Sequence, residues 1–186
     1  MIKLTIIIPV YNEIKTIEKL IKKILKINIK KQLIIVDDGS SDGTELILKK
    51  YKSKIDKLII HNKNLGKGAA IKSGQRYVKG KYIGIQDADL EYDPRDLKKI
   101  VNEMSKKNLK VMYGSRVLKK NKFKNTQNFT HIVRIWGNVF LTKASNFLNR
   151  QKLTDAHTCY KVFDSKIFKK IQLKEKGFSF CPEITT

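Results

Sequence analysis

Carboxylates are scarce in this sequence, 17 Asp and Glu against 40 Lys and Arg, and many of them gather where an apolar run gives way to a turn. The run Ile85-Gln86-Asp87-Ala88-Asp89-Leu90-Glu91 carries three at i, i+2 and i+4. On an extended backbone all three point to one side and repel one another. A hard divalent cation such as Mg2+ or Mn2+ relieves that repulsion, because these ions take oxygen ligands and keep positions open for substrate phosphates. Spacing alone leaves a second reading open: a solvated turn in which Asp93 caps the next helix and the other acids are surface residues. Asp37-Asp38-Gly39-Ser40-Ser41-Asp42-Gly43 is likewise either a turn with a helix cap or a strand-end carboxylate that accepts from a base N–H or a ribose hydroxyl. Asn64-Leu65-Gly66-Lys67-Gly68 could cradle phosphate but lacks Walker spacing. His61, His131 and His157 have no Ser or Cys partner in a recognisable arrangement and are expected to be structural. Cys159 and Cys181 have no neighbouring ligand at zinc spacing and are expected as buried free thiols.

These residues need a scaffold. Residues 1 to about 115 alternate β-rich runs with helix-period segments, the pattern of an α/β domain whose mostly parallel sheet is flanked by helices. Strands are expected near 3–9, 32–37, 56–61, 80–86 and 109–113. In a doubly wound sheet ligands bind beyond the carboxyl ends of strands, and Glu13, Asp37-Asp38 and the Asp87, Asp89, Glu91 group follow three of those ends. A first helix is expected after Asn12 as N-cap, burying Ile14, Ile17, Leu20, Ile21, Ile24 and Leu25. Others should run from near Gly43 to Ser53, from Gly66 to Lys79, and from Pro94, capped by Asp93, to about Lys107. Beyond a polar loop at 119–127, Phe129, Ile132, Val133, Trp136, Phe140 and Phe147 recur at helical spacing. Tyr160 to Phe163 suits a short strand and Ser165 to Ile171 a short helix. Pro182 suits the first residue of a further helix, yet four residues follow it, so the sequence is expected to be a piece of a longer chain.

A length of 186 residues, 41% of them hydrophobic, suffices for one domain with a real core. The regular apolar runs exclude a disordered polycation despite a net charge of +23, and no apolar stretch approaches the length of a membrane span. No signal peptide is visible, and a cytoplasmic location is expected. Only five of the basic residues are Arg (Arg76, Arg95, Arg116, Arg134, Arg150), so the excess is either solvating Lys charge or an attraction to polyanions. No acid occurs between Glu103 and Asp155. That stretch is expected to rest on an anionic membrane surface through Phe129, Ile132, Trp136 and Phe140, with Lys119, Lys120, Lys122 and Lys124 beside them. The same stripe could instead pack on the sheet. A nucleic-acid binder would interleave aromatic and basic residues on an exposed strand; that pattern is missing, and no nucleic-acid partner is expected.

Taken in order, Pro9-Val10-Tyr11-Asn12-Glu13, Val36-Asp37-Asp38-Gly39-Ser40-Ser41-Asp42-Gly43-Thr44, Asn64-Leu65-Gly66-Lys67-Gly68-Ala69-Ala70, Asp87-Ala88-Asp89-Leu90 and Gly114-Ser115-Arg116 resemble glycosyltransferase family 2. Within it they are most similar to the dolichyl-phosphate mannose and glucose synthase branch. The resemblance implies one GT-A domain over 1–186, with a nucleotide-sugar half at 1–115 and an acceptor half at 116–186. It also implies metal-dependent, inverting transfer of a hexose from a UDP- or GDP-sugar to a polyprenyl (dolichyl or undecaprenyl) phosphate at the cytoplasmic face of a membrane. Carried over by position, Pro9, Tyr11, Glu13, Val36 and Asp38 line the nucleoside pocket with Lys67 close by, and Asp87 with Ala88 faces ribose and diphosphate. Asp87, Asp89 and Glu91 form the metal site, where many relatives have Gln in place of Glu91. Asp89 and Arg116 are the catalytic pair, Arg116 meeting the diphosphate or acceptor phosphate. Arg134, Asn138 and Lys161 belong to the acceptor phosphate, although Asn138 stands where Ser is common and Cys159-Tyr160-Lys161 replaces a usual Gly-Phe-Arg. A phosphate acceptor is already ionised and needs no general base. The alternative, transfer to a glycan or small-molecule hydroxyl in cell-envelope polysaccharide synthesis, needs one, with Glu183 or Asp155 as candidates.

Overall fold

The computed structural model describes residues 1–115, 129–150, 152–155, 158, 160–177 and 179–185. Six strands form one sheet: β1 (Leu4–Val10), β2 (Lys31–Asp37), β3 (Lys57–Ile60), β4 (Tyr82–Ile85), β5 (Val111–Tyr113) and β6 (Lys161–Asp164), in the order β3-β2-β1-β4-β6-β5. β1 pairs in parallel with β2 and β4, and β2 with β3, whereas β6 runs antiparallel to both β4 and β5. β1 and β2 read as near-continuous apolar runs because both faces of a parallel sheet are covered. Ile6, Ile8, Leu33, Ile35 and Val162 pack under α1 (Ile17–Leu25), α2 (Thr44–Lys50) and α4 (Arg95–Lys106). Ile7, Ile34, Val36, Ile83, Ile85 and Phe163 pack under α3 (Lys67–Gln75), α6 (Ser165–Phe168) and α7 (Phe180–Glu183).

The expected α/β class and all five early strands are present, with ends shifted by one or two residues. The first helix is not where Asn12 would start it. Asn12 is left-handed at φ 54° and spends its side chain on the neighbouring loop, so the helix begins at Ile17 and Ile14 is left 41% exposed. Pro182 is the third residue of α7 rather than its first. Asp93 Oδ1 does receive the Arg95 backbone N–H at 3.0 Å, but α4 begins at Arg95 with Pro94 as its N-cap, one residue later than expected. β6 inserts between β4 and β5, so the sequence beyond residue 116 completes the sheet begun before it. The long helix α5 spans Phe129–Asn149.

Strand polarity needs one buried polar solution at the amino ends. Thr5 Oγ1 donates to Gln32 Oε1 at 2.7 Å, and that oxygen also accepts the Lys79 N–H at 3.0 Å, while Gln32 Nε2 donates to Tyr77 O at 3.0 Å. Both side chains are buried and bonded, so they stabilise the α3–β4 turn at no desolvation loss. At the other end, Pro9 sits in a central strand, where a missing N–H is normally costly. Here the β1–β4 pairing ends at Ile7↔Ile85, so the ladder loses nothing.

Candidate active site

Strand order reverses at β1: the chain moves outward through β2 and β3, then returns to place β4 on the other side of β1. A crevice between the carboxyl ends of β1 and β4 follows from that crossover, and such switch points are where open α/β sheets bind ligands. Pro9 lies near the carboxyl end of β1 with Tyr11 and Glu13 just beyond it, Val36 lies near the end of β2 with Asp38 just beyond it, and Asp87 and Ala88 follow β4. Val36 and Ala88 are buried, while Tyr11 is 46% exposed.

The β1–α1 and β2–α2 loops are stitched together by four side-chain bonds. Asn12 N donates to Ser40 Oγ (2.9 Å), Ser41 N to Asn12 Oδ1 (2.8 Å), Glu13 N to Thr44 Oγ1 (2.9 Å) and Ile14 N to Asp42 Oδ2 (3.0 Å). Slight burial of the Asp42 carboxyl opposes its ionisation, but the Thr44 hydroxyl and the Ile14 and Thr44 N–H groups outweigh it and hold the carboxyl below its ordinary range. The side chains that looked like turn formers therefore build a rigid rim.

Asp38 lies 3% exposed at the centre. Oδ1 accepts from His61 Nδ1 (2.7 Å) and Leu65 N (3.0 Å), and Oδ2 from Gly66 N (2.7 Å). His61 Nε2 meets Ser73 Oγ at 3.0 Å. This corrects the expectation that the histidines lack a Ser partner: Asp38, His61 and Ser73 are joined in one line. No local sequence signal could have shown it, since Asp38 follows β2, His61 follows β3 and Ser73 lies in α3. Asp37, by contrast, turns to the other face of the sheet, where Oδ1 accepts from Ser40 N and Oγ.

The acidic run departs from the extended backbone that its spacing suggested. β4 ends at Ile85, residues 88–92 turn, and Leu90 is left-handed at φ 64°. Alternation therefore does not align the three carboxylates, and among the described residues no three His, Cys, Asp or Glu gather as a metal site. Asp87 is held by the Lys67 ammonium at 2.5 Å, both side chains being largely buried. Asp89 and Glu91 are exposed, with Asp89 Oδ1 accepting the Glu91 N–H at 2.9 Å. Two exposed carboxylates still fit a cation such as Mg2+, which is commonly held by one or two carboxylates plus substrate phosphates. The loop is anchored from below by Tyr160, which stacks on Tyr92 at 4.9 Å and donates to Asp93 O at 2.6 Å. Burial pushes the Tyr160 hydroxyl pKa up, keeping it a donor. The Arg95 guanidinium beside Asp93 holds that carboxyl down at about 2. Its stabilisation is present above the ordinary carboxylate range and is lost as pH falls through about 2, a modest effect because Arg95 is largely solvated.

A strap at 173–177 crosses the start of α3. Lys176 O accepts the Ala69 N–H at 3.1 Å, and Glu183 anchors the strap by accepting the N–H groups of Lys174 (2.7 Å) and Glu175 (3.2 Å). A Cβ on Gly68 would lie 2.1 Å from Glu175 O. Helix propensity favours Ala over Gly by about 1 kcal/mol, but overpacking against backbone costs about 1–3 kcal/mol. Gly68→Ala is therefore expected to lower the urea midpoint; a raised midpoint would show that the strap does not seat on α3.

Lys161, expected at an acceptor phosphate, is 1% exposed. Its ammonium donates to Cys181 O at 2.8 Å and Thr185 Oγ1 at 2.6 Å and lies 5.0 Å from the Tyr113 ring centroid. It holds α7 against the sheet and presents no face to a phosphate. Cys181 is buried, as expected. Arg116, Cys159 and His157 lie outside the described residues, as do the side chains of Arg134, Asn138, His131 and Trp136.

A mostly parallel sheet with its crevice at the β1–β4 switch point and an acidic loop at its lip defines a domain of the GT-A fold. The sequence profile of Glycosyl transferase family 2 matches residues 5–172, and the chain belongs to that family. It is 25% identical to a dodecaprenyl-phosphate galacturonate synthase of Rhizobium johnstonii over 97% of this chain and 53% of that protein. It is 28% identical to a UDP-N-acetylglucosamine–dolichyl-phosphate N-acetylglucosaminyltransferase of Methanococcus voltae over 96% of this chain and 76% of that one. The glucosyl-3-phosphoglycerate synthase of Mycobacterium tuberculosis, crystallised with Mg2+ and UDP, shares the fold with a TM-score of 0.71 at 15% identity, covering 97% of this chain and 62% of that one. The chain spans about half the length of the first of these relatives.

Proposed function

We propose that this chain carries a metal-dependent, inverting glycosyltransferase activity that moves a hexose from a nucleotide sugar to a polyprenyl phosphate. The observation that carries the reading is the switch-point crevice, with its stitched rim, its central Asp38 and its exposed Asp89 and Glu91. Relatives named for dodecaprenyl-phosphate and dolichyl-phosphate support the acceptor. Asp38 and Tyr11 receive the nucleoside, Lys67 holds Asp87 toward the ribose, and Asp89 and Glu91 hold Mg2+ or Mn2+. The cation, when bound, supplies charge neutralisation to the departing diphosphate. Arg116 and Arg134, with Asn138, are assigned by resemblance to the diphosphate and the acceptor phosphate. The 1–115 segment serves the donor and 116–186 the acceptor. Incubation with labelled nucleotide sugars, Mn2+ and undecaprenyl phosphate tests the reading: label should enter the organic phase, and label confined to water-soluble product would overturn it. Transfer to a hydroxyl gains nothing from its two candidate bases, because Glu183 is occupied by backbone N–H groups and Asp155 is 2% exposed.

A lipid acceptor requires the crevice to work at a membrane surface. No helix among the described residues is long and apolar enough to cross a membrane. α5 nevertheless leaves Phe140, Leu141, Phe147 and Leu148 exposed, Phe147 by 85%, with Lys143, Arg150 and Lys152 exposed nearby. Of the Phe129, Ile132, Trp136 and Phe140 set expected to bind lipid, Phe140 is in this stripe, and the side chains of the other three lie outside the described residues. Replacing both Phe147 and Leu148 by Ser should reduce sedimentation with anionic vesicles at least tenfold, since burying each side chain is worth about 1.5–3 kcal/mol. The thermal midpoint should stay unchanged. Undiminished vesicle binding would remove α5 from the membrane contact.

A further inference from the structure

The segment that leads from β3 into α3 holds two carboxylates of the candidate site. Leu65 N and Gly66 N donate to Asp38 at 3.0 and 2.7 Å, and the Lys67 ammonium holds Asp87. Little within the segment fixes it in turn. From Asn62 to Ala69 no apolar side chain is buried, Leu65 being 41% exposed, and Gly66 and Gly68 are the residues whose backbones cost most to order. The strap at 173–177 meets the same residues. A Cβ on Gly66 would lie 2.4 Å from Lys176 O and one on Gly68 2.1 Å from Glu175 O, so the two backbones are in direct contact, and Lys176 O accepts the Ala69 N–H at 3.1 Å.

The strap has no regular secondary structure of its own. It starts at Leu173, which is buried in the same apolar cluster as Ala70 and Ile71 of α3, and its next two N–H groups, of Lys174 and Glu175, both reach Glu183 Oε1, at 2.7 and 3.2 Å. Glu183 lies in α7, whose Phe180 and Cys181 are buried in that cluster too. We propose that this strap clamps the donor site, with Glu183 as its positioning residue. By accepting the strap N–H groups, Glu183 seats the strap carbonyls on Gly66, Gly68 and Ala69, and so fixes where Lys67 and the Leu65 and Gly66 N–H groups hold Asp87 and Asp38 for a nucleoside diphosphate. The inference rests on the donor-site reading above and adds to it a residue outside the five sequence motifs.

Calorimetric titration with UDP and with GDP in Mn2+, paired with amide hydrogen exchange, provides the test. Glu183→Ala should weaken the nucleotide that the wild-type chain binds by about fivefold, the worth of one net hydrogen bond, and should speed exchange at Ala69 while the amides of β1 exchange as in wild type. Glu183→Gln keeps Oε1, which accepts both N–H groups, and should restore affinity and exchange to the wild-type values. Gly68→Ala, which pushes the strap off α3 with Glu183 in place, should repeat the loss and decides the point by the same two readouts if Glu183→Ala does not fold. Fast exchange at Ala69 with unchanged nucleotide affinity overturns the clamp, and so does a Gln variant as weak as the Ala variant. Exchange accelerated equally across β1 makes Glu183 a general stability residue and overturns its positioning role. Binding of neither nucleotide by the wild-type chain defeats the underlying donor reading, and the inference with it.

Discussion

Asp89→Ala is expected to lower sugar transfer by about 10²–10³-fold, the scale of losing one preorganised charge at a departing oxyanion. Nucleotide-sugar binding should lose its dependence on divalent cation at the same time. The protein should stay folded. Asp89 is exposed and its Oδ1 accepts the Glu91 N–H two residues on, so its removal takes little from the core and relieves repulsion with Glu91. Glu91→Gln should be milder, because an amide oxygen remains a hard ligand. Two measurements decide the point: titration of nucleotide sugar with and without Mn2+, and thermal unfolding. Retained cation dependence would remove Asp89 from the metal site, and an unfolded variant would make it a structural residue.

Lys161→Ala should act in the opposite way, costing about 2–4 kcal/mol of stability through the cavity and the lost hydrogen bonds. The stem is buried beside Tyr113, and the ammonium ties Cys181 and Thr185 of the last turn to β6. Lys161→Met should cost less. It keeps the volume, and Cys181 O still accepts the Thr185 hydroxyl at 2.7 Å. Urea denaturation of the pair separates the two roles. If both variants unfold like wild type and only the acceptor KM rises, Lys161 reaches the acceptor phosphate after all.

The contrast between these residues shows where sequence reasoning carries and where it stops. Lys161 was assigned by position in a motif, and motif position does not report which face of a strand a side chain takes. Its neighbours Val162 and Phe163 pack into opposite cores, and Lys161 falls on the side of Phe163, under α7. The acidic run shows the same limit at the backbone level. Spacing at i, i+2 and i+4 aligns carboxylates only while the strand continues, and β4 stops at Ile85. Asn12 had the composition of a helix cap, yet its side chain bonds a loop 29 residues away.

What the sequence determined by itself were the properties that arise from local order: apolar runs that must be strands covered on both faces, helical periods such as Ile17, Leu20, Ile21 and Ile24, and carboxylates at strand ends. Five ordered motifs then sufficed for the family. The tertiary structure alone decided the pairings between distant segments. β6 crosses into the sheet between β4 and β5, Lys67 reaches Asp87 across 20 residues, and His61 joins Asp38 to Ser73 from three separate segments. The physical reason is that strand and helix periods follow from neighbouring residues, whereas a hydrogen bond between side chains depends on distances that only the packed sheet fixes.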